Sequence, residues 1–224
     1  MKSADYFKTE GAHKQQTEQN ATEIDTPFLE PTQEGVYKIK GFDVNRKLAD
    51  VKGPLVEVAG PTVRGFEFVD MEQLPREIHI SNLYPGIRTY DVNTGEFIKF
   101  RAKVDFRADG KNLPLSDGSV GAIFISCLGM IRDTQIISKE TPEDEKIANQ
   151  KLKEQIIKEV YRVLENGGIF ILERIEKEYA EKARKIGFKL KQYKLSEEDK
   201  QELEGNLVEL GSFVFEKGEK EMQK

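Results

Sequence analysis

The chain alternates short apolar runs with longer segments in which apolar residues recur every three or four positions. The apolar run at 120–126 contains no charged residue, which is typical of a strand covered on both faces. Together with other short apolar runs, this predicts strands at 55–59, 78–81, 102–106, 120–126, 169–173, 188–193 and 207–215.

The period changes to that of an amphipathic helix between 147 and 164, where Lys and Glu separate the apolar positions. Gly167 and Gly168 end this helix, because glycine adopts the left-handed conformation that often follows a helix. A second helix is predicted at 175–186, before Gly187, and a charged helical segment from about Ser196.

Strands that alternate with helices through short connections predict an open α/β sheet with helices on both faces. In such sheets ligands bind at the carboxyl ends of the strands. We expect one domain at 35–216, a mobile polar arm at 1–34 and a charged tail at 217–224. A partner-binding role for the arm is the alternative.

Composition narrows the class of protein. Of 224 residues, 35 are Lys or Arg and 40 are Asp or Glu, and the net charge of −5 disfavours a nucleic-acid partner. A single cysteine, Cys127, excludes an internal disulfide, and no metal site is expected. No apolar stretch suits a signal peptide or a membrane span, so we expect a cytoplasmic protein without a membrane partner.

The first candidate for chemistry is the small-residue turn in VEVAGP (56–61), after the first predicted strand. Such a turn lets backbone N–H groups approach a ligand closely, although a tight turn without a ligand explains it equally well. It lacks the G-x-G-x-x-G spacing of a dinucleotide site, and this disfavours a nicotinamide-dependent oxidoreductase.

The second candidate is DGKNLPLSDGS (109–119), where Asp109 stands beside Gly110. A carboxylate next to a closely approaching backbone can accept a hydrogen bond from an exocyclic amine such as that of adenine. The alternative is an Asp109 that only caps its own loop.

VEVAGP, DGKNLPLSDGS and EVYRVLENGG (159–168), in this order, resemble segments of the class I S-adenosylmethionine-dependent methyltransferases of the small-molecule type. The resemblance implies a Rossmann-like three-layer α/β/α sandwich with a mostly parallel seven-stranded sheet and an antiparallel last strand. It also implies S-adenosylmethionine as cofactor, held by Glu57, Ala59, Gly60, Pro61, Asn82, Asp109, Gly110 and Ser126.

Each of these residues takes its role from the resemblance. Glu57 would lie near the amino acid part of the cofactor, and Asp109 would pair with the adenine amine. Asn82 stands where the family carries an acidic residue for the ribose hydroxyls, and Ser126 falls on the cleft. The family's loop has two or three glycines, whereas Ala59, Pro61 and Val63 stand at the alternating positions here.

The sequence therefore predicts a methyltransferase for an unidentified small-molecule acceptor, with no catalytic residue assigned. Because the glycine loop is degenerate, a catalytically inactive binding or regulatory protein of the same fold is the alternative. Two further features stay open. Cys127 is expected to be a buried apolar side chain rather than a nucleophile, and the acidic segment 129–147 an exposed connection rather than a lid.

Overall fold

The computed structural model describes residues 29–31, 35–62, 65–83, 87–91, 96–100, 104–126, 143–203 and 206–218. The strands are β1 (Leu29–Pro31), β2 (Tyr37–Ile39), β3 (Leu55–Val58), β4 (Ile78–Ser81), β5 (Ile87–Asp91), β6 (Glu96–Phe100), β7 (Val120–Ser126), β8 (Leu164–Glu176), β9 (Phe188–Leu203) and β10 (Asn206–Lys217). The helices are α1 (Val44–Asp50), α2 (Glu143–Val163) and α3 (Lys177–Ile186), with a 3₁₀ turn at Met71–Gln73.

Eight of these strands form one sheet in the order β1-β2-β9-β10-β8-β7-β3-β4, and β5 pairs with β6 alone. Strands β4, β3, β7 and β8 are parallel neighbours. Strand β10 is antiparallel to both β8 and β9. The predicted Rossmann-like sheet with an antiparallel end is confirmed. The described sheet has eight strands rather than the predicted seven, because the β1–β2 hairpin extends that end by two and no described strand corresponds to 102–106.

The alternation of side chains along β7 creates the layers. Ile123 and Ile125 pack with α2 and α3 on one face, whereas Ala122 and Phe124 pack with α1 on the other. The α1 layer is thin, because in the described residues a connection without an α-helix links β3 to β4. Phe66 and Val69 of that connection are buried against this second face.

Helix α2 ends at Val163, close to its predicted boundary, and Gly167 follows with φ of 75°. Between the pairs Val120–Leu164 and Ala122–Ile169 the register of β8 against β7 shifts. The extra residues of β8 thus accommodate the ENGG segment before the buried part of the strand begins. Helix α1 was not predicted, and its N-terminus is capped by Asp43, which accepts the Arg46 N–H at 3.0 Å.

The prediction of a helical segment from about Ser196 is wrong. Strand β9 continues through it to Leu203 and pairs with β10, with Leu195 opposite Gly211 and Glu202 opposite Leu207. The charged composition favours a helix locally, but hairpin pairing with β10 satisfies the same backbone groups and overrides that preference.

The ends of the predicted domain and one predicted strand also differ from the expectation. Residues 29–31, inside the expected arm, form β1, and residues 1–28 lie outside the described residues. Lys217, the first residue of the expected tail, is the buried last residue of β10. Of the strand predicted at 102–106, residues 102 and 103 lie outside the described residues, and the described part forms a parallel bridge between Ser81 and Phe106.

Candidate functional site at the carboxyl edge of the sheet

The turn after β3 is tied to the end of β4. The Gly60 N–H donates to the Ser81 carbonyl at 3.2 Å, and Asn82 Nδ2 donates to the Gly60 carbonyl at 2.7 Å. The Ser81 hydroxyl in turn donates to the Glu57 carbonyl at 3.1 Å. Asn82, predicted to bind ribose hydroxyls, thus also fixes the turn on which Ala59 and Gly60 lie.

Two neighbouring residues of this turn have opposite steric requirements. Ala59 is exposed and has φ of 64°, a left-handed conformation that favours glycine. Gly60 is buried, and a Cβ there would overlap the carboxyl group of Glu57. The sequence thus places an alanine where the backbone favours glycine, and a glycine where a side chain cannot fit.

Glu57 is a buried carboxyl group beneath this turn. Its side chain accepts the Thr62 N–H through Oε1 at 2.5 Å, and the residue is 5% exposed. Burial raises the pKa of Glu57 to about 7, against the opposing effect of the Thr62 hydrogen bond. Glu57 therefore closes the loop that the sequence assigned to the cofactor.

Asp109 and Gly110 form a turn beside the same strand end. A Cβ on Gly110 would lie 3.2 Å from Val58 Cγ1 and 3.5 Å from Ile156 Cγ1, so the turn packs between β3 and α2. Asp109 Oδ1 accepts the Lys111 N–H at 3.1 Å, and Lys111 Nζ lies 3.3 Å from Oδ2. The Asp109 side chain is 35% exposed, so its carboxylate caps the turn and still reaches solvent.

Ser126 ends β7 and is paired across the sheet with Glu173 of β8. Glu173 is 5% exposed, and its Oε1 accepts the Glu67 N–H at 2.5 Å. Burial raises the pKa of Glu173 to about 7. The nearby Glu67 and Glu57 charges act in the same direction, whereas the Glu67 N–H and Arg174 act in the opposite one.

Sequence reasoning missed Glu173 as a site residue. The signal was available, because Glu173 is the first charge after the apolar run 169–172, at the end of a predicted strand. A carboxylate in that position must either reach the ligand edge of the sheet or be buried with a partner. In the structure it is buried beside the connection that covers β3.

The structure brings the eight predicted cofactor residues to one edge. Glu57 lies near the end of β3, and Ala59, Gly60 and Pro61 follow that strand. Asn82 follows β4 and Ser126 ends β7, with the Asp109–Gly110 turn against Val58. Cys127 and residues 129–142 of the acidic segment lie outside the described residues. No described group of three or more His, Cys, Asp or Glu could hold a metal ion, and no described helix is long and apolar enough to span a membrane.

Of the three carboxyl groups near this edge, Asp109 is 35% exposed and could accept a hydrogen bond from the adenine amine of S-adenosylmethionine. Glu57 and Glu173 are 5% exposed and accept the Thr62 and Glu67 N–H groups, so they fix the protein around the edge. The backbone of the turn offers a ligand few hydrogen-bond donors, because the Gly60 and Thr62 N–H groups are already bonded within the protein. Pro61 between them has no N–H to offer.

The order of the parallel strands and their antiparallel end decide the fold. The chain has a Rossmann-like α/β fold with an antiparallel end. No protein-family model matches it, and no curated protein does.

Solved structures similar to this chain were found at low sequence identity. A SAM-dependent methyltransferase from Methanosarcina mazei is 11% identical, over 79% of this chain and 98% of that one, with a TM-score of 0.44. A SAM-dependent methyltransferase from Thermotoga maritima is 16% identical, over 77% and 86%, with a TM-score of 0.38. The [4+2]-cyclase SpnF is 11% identical, over 77% and 78%, with a TM-score of 0.40. At these scores none of them assigns an activity or a residue role to this chain.

Proposed function

We propose that this chain binds S-adenosylmethionine at the carboxyl edge of β3 and β4 and methylates a small molecule. The observation that carries the proposal is that two of the three segments on which the sequence resemblance rests meet at that edge, supported by the helix that leads into the third. VEVAGP and DGKNLPLSDGS meet where Gly110 packs against Val58, and α2, with EVYRVL, supports both through Ile156 and Glu159.

In this proposal each residue has a limited task. Asp109 accepts a hydrogen bond from the adenine amine, and the Gly110 backbone lies beside the ring. Asn82 contributes to ribose binding while it holds the Gly60 carbonyl. Ala59 and Ser126 line the edge, and Glu57 keeps the turn closed through Thr62.

When bound, S-adenosylmethionine would supply an electrophilic methyl group, so the protein has mainly to align the acceptor and exclude water. A general base is needed only for an acceptor that must lose a proton. The acidic net charge favours a small acceptor over a nucleic acid, whose phosphates an acidic surface repels.

A specific observation favours a second candidate, a binding or regulatory protein without turnover. The Gly60 and Thr62 N–H groups are bonded to Ser81 and Glu57, so they do not point towards a ligand carboxylate. In that case the same edge would hold the nucleoside but would not align a methyl group.

Equilibrium dialysis of the full chain against labelled S-adenosylmethionine tests the proposal. We expect saturable binding that unlabelled S-adenosylhomocysteine displaces, and retained ligand in mass spectra of the natively purified protein. Absence of binding at high micromolar ligand would exclude the cofactor and the enzyme together. Binding without S-adenosylhomocysteine release, across a set of amine, hydroxyl and thiol acceptors, would favour the second candidate.

A further inference from the structure

One pair of side chains on α2 holds both backbone polar groups of a single residue in another segment. Glu159 Oε1 accepts the Leu113 N–H at 2.7 Å, and Arg162 Nη2 donates to the Leu113 carbonyl at 3.2 Å. The two side chains also bind each other, since Arg162 Nε donates to Glu159 Oε2 at 2.8 Å. Arg162 reaches further to Asp117, on the same connection.

Leu113 is the downstream end of the turn that carries Asp109. Within the turn the Asn112 N–H donates to the Asp109 carbonyl at 2.8 Å, and Leu113 itself is 2% exposed. Upstream, Gly110 packs against Val58 and Ile156. The turn is therefore fixed at one end by packing against β3 and α2, and at the other by the Glu159–Arg162 pair.

The partial burial of the Glu159–Arg162 ion pair costs free energy that an apolar contact in the same place would not cost. The Glu159 side chain is 11% exposed, and an ion pair so placed loses much of its hydration. The Arg162 hydrogen bond lowers the pKa of Glu159 despite this burial, so the carboxylate stays ionised. An apolar contact could stabilise this surface of α2 equally well, but it would not fix the position of a backbone N–H and a carbonyl.

We propose that Glu159 and Arg162 are positioning residues that set the conformation of the turn 109–113, and that they thereby determine how tightly the chain holds the adenine end of its cofactor. The inference rests on the proposed function, because it assigns the Asp109 turn to adenine. It adds two residues to the site that do not touch the ligand and act through Leu113.

Binding of S-adenosylhomocysteine, measured by calorimetry on the full chain, tests the pair. We expect Glu159→Gln and Arg162→Lys each to weaken binding about tenfold, the effect of a loss near 1.4 kcal/mol. The matched control is Glu154→Gln on the same helix, which removes a 2.9 Å ion pair with Lys182 of α3 that does not involve the 109–113 turn, and it should leave affinity within about twofold.

Two further readouts separate positioning from a general loss of structure. In an Asp109→Ala background, Glu159→Gln should change affinity by less than about twofold, because the contact through which it acts is already gone. Hydrogen exchange should speed up at the Leu113 amide in Glu159→Gln and not in Glu154→Gln, with or without ligand.

The outcomes are distinguishable. Failure of the unsubstituted chain to bind the nucleoside overturns the proposed function and this inference with it. Binding that Glu159→Gln leaves unchanged overturns the inference alone. The inference is also overturned if Glu159→Gln weakens binding equally in the unsubstituted protein and in the Asp109→Ala variant. The pair would then act independently of the Asp109 turn.

Discussion

Glu57 and Glu173 lie on the same face of the sheet, separated by strand β7, and each accepts one backbone N–H from the connection that follows β3. Glu57 accepts from Thr62 and Glu173 from Glu67, both at 2.5 Å. The two buried carboxyl groups thus hold the two ends of one segment against the carboxyl edge of the sheet. The two carboxyl groups also interact electrostatically, since the Glu57 charge raises the pKa of Glu173.

This pair predicts that stability falls as pH rises through neutrality. Burial raises both pKa values from 4.5 to about 7, so the folded state binds protons that the unfolded chain releases. The stabilisation is complete below pH 4.5 and is lost as pH rises through 7. Between pH 5 and pH 8 we expect the free energy of unfolding to decrease by on the order of 2 kcal/mol per carboxyl group, measured by urea titration.

The matched variants Glu57→Gln and Glu173→Gln keep an oxygen for the Thr62 or Glu67 N–H and remove the titration. Each should therefore remove about half of the pH dependence. A stability that is level or rises from pH 5 to pH 8 in the unsubstituted protein would contradict the assignment of raised pKa values to this pair.

The turn after β3 predicts opposite responses at adjacent positions. Ala59→Gly should stabilise the protein by about 0.5–1 kcal/mol, because it relieves a left-handed alanine at a smaller entropic cost. Gly60→Ala should destabilise it by about 1–3 kcal/mol, because the new Cβ overlaps the Glu57 carboxyl group. Thermal unfolding compares the two, and a shift of the same sign for both would show that the backbone at Ala59 differs from the one described.

Asp109→Ala should weaken binding of S-adenosylmethionine by about 1–3 kcal/mol, because the adenine amine loses its acceptor. Asp50→Ala serves as the control, since Asp50 is an exposed carboxylate at the end of α1, away from the carboxyl edge. Calorimetric titration distinguishes them. Unchanged affinity in Asp109→Ala would leave Asp109 as a residue that only caps its own turn through the Lys111 N–H.

Asn82→Ala should lower the free energy of unfolding by about 1–2 kcal/mol, because the Gly60 carbonyl loses the Nδ2 donor at 2.7 Å. Asn112→Ala is the comparison, as Asn112 is exposed and only its backbone takes part in the turn. If Asn82 also binds ribose, nucleoside affinity will fall in Asn82→Ala by more than the change in stability explains. Equal stability of the two variants would contradict the role of Asn82 in fixing the turn.

The sequence predicted the parallel core and the edge that carries the site, because each rests on local patterns. Apolar runs such as 120–126 identify buried strands by periodicity alone, and α2 and its glycine stop are equally local signals. The motifs that follow those strands then fall at one edge by topology. For this reason the sequence alone predicts Asp109, Gly110 and Asn82 at the same edge.

Only the tertiary structure decided which groups pair with one another and which charged groups are buried. The segment from Ser196 is part of β9 because β10 pairs with it. Glu173 is a buried carboxyl group beside the site because the Glu67 N–H donates to it. Glu57 accepts the Thr62 N–H within the protein. Glu159, together with Arg162, binds Leu113, which precedes Glu159 by 46 residues. Burial and hydrogen bonding of a charged group are set by what packs against it, and the periodicity of apolar residues along the chain does not specify that packing.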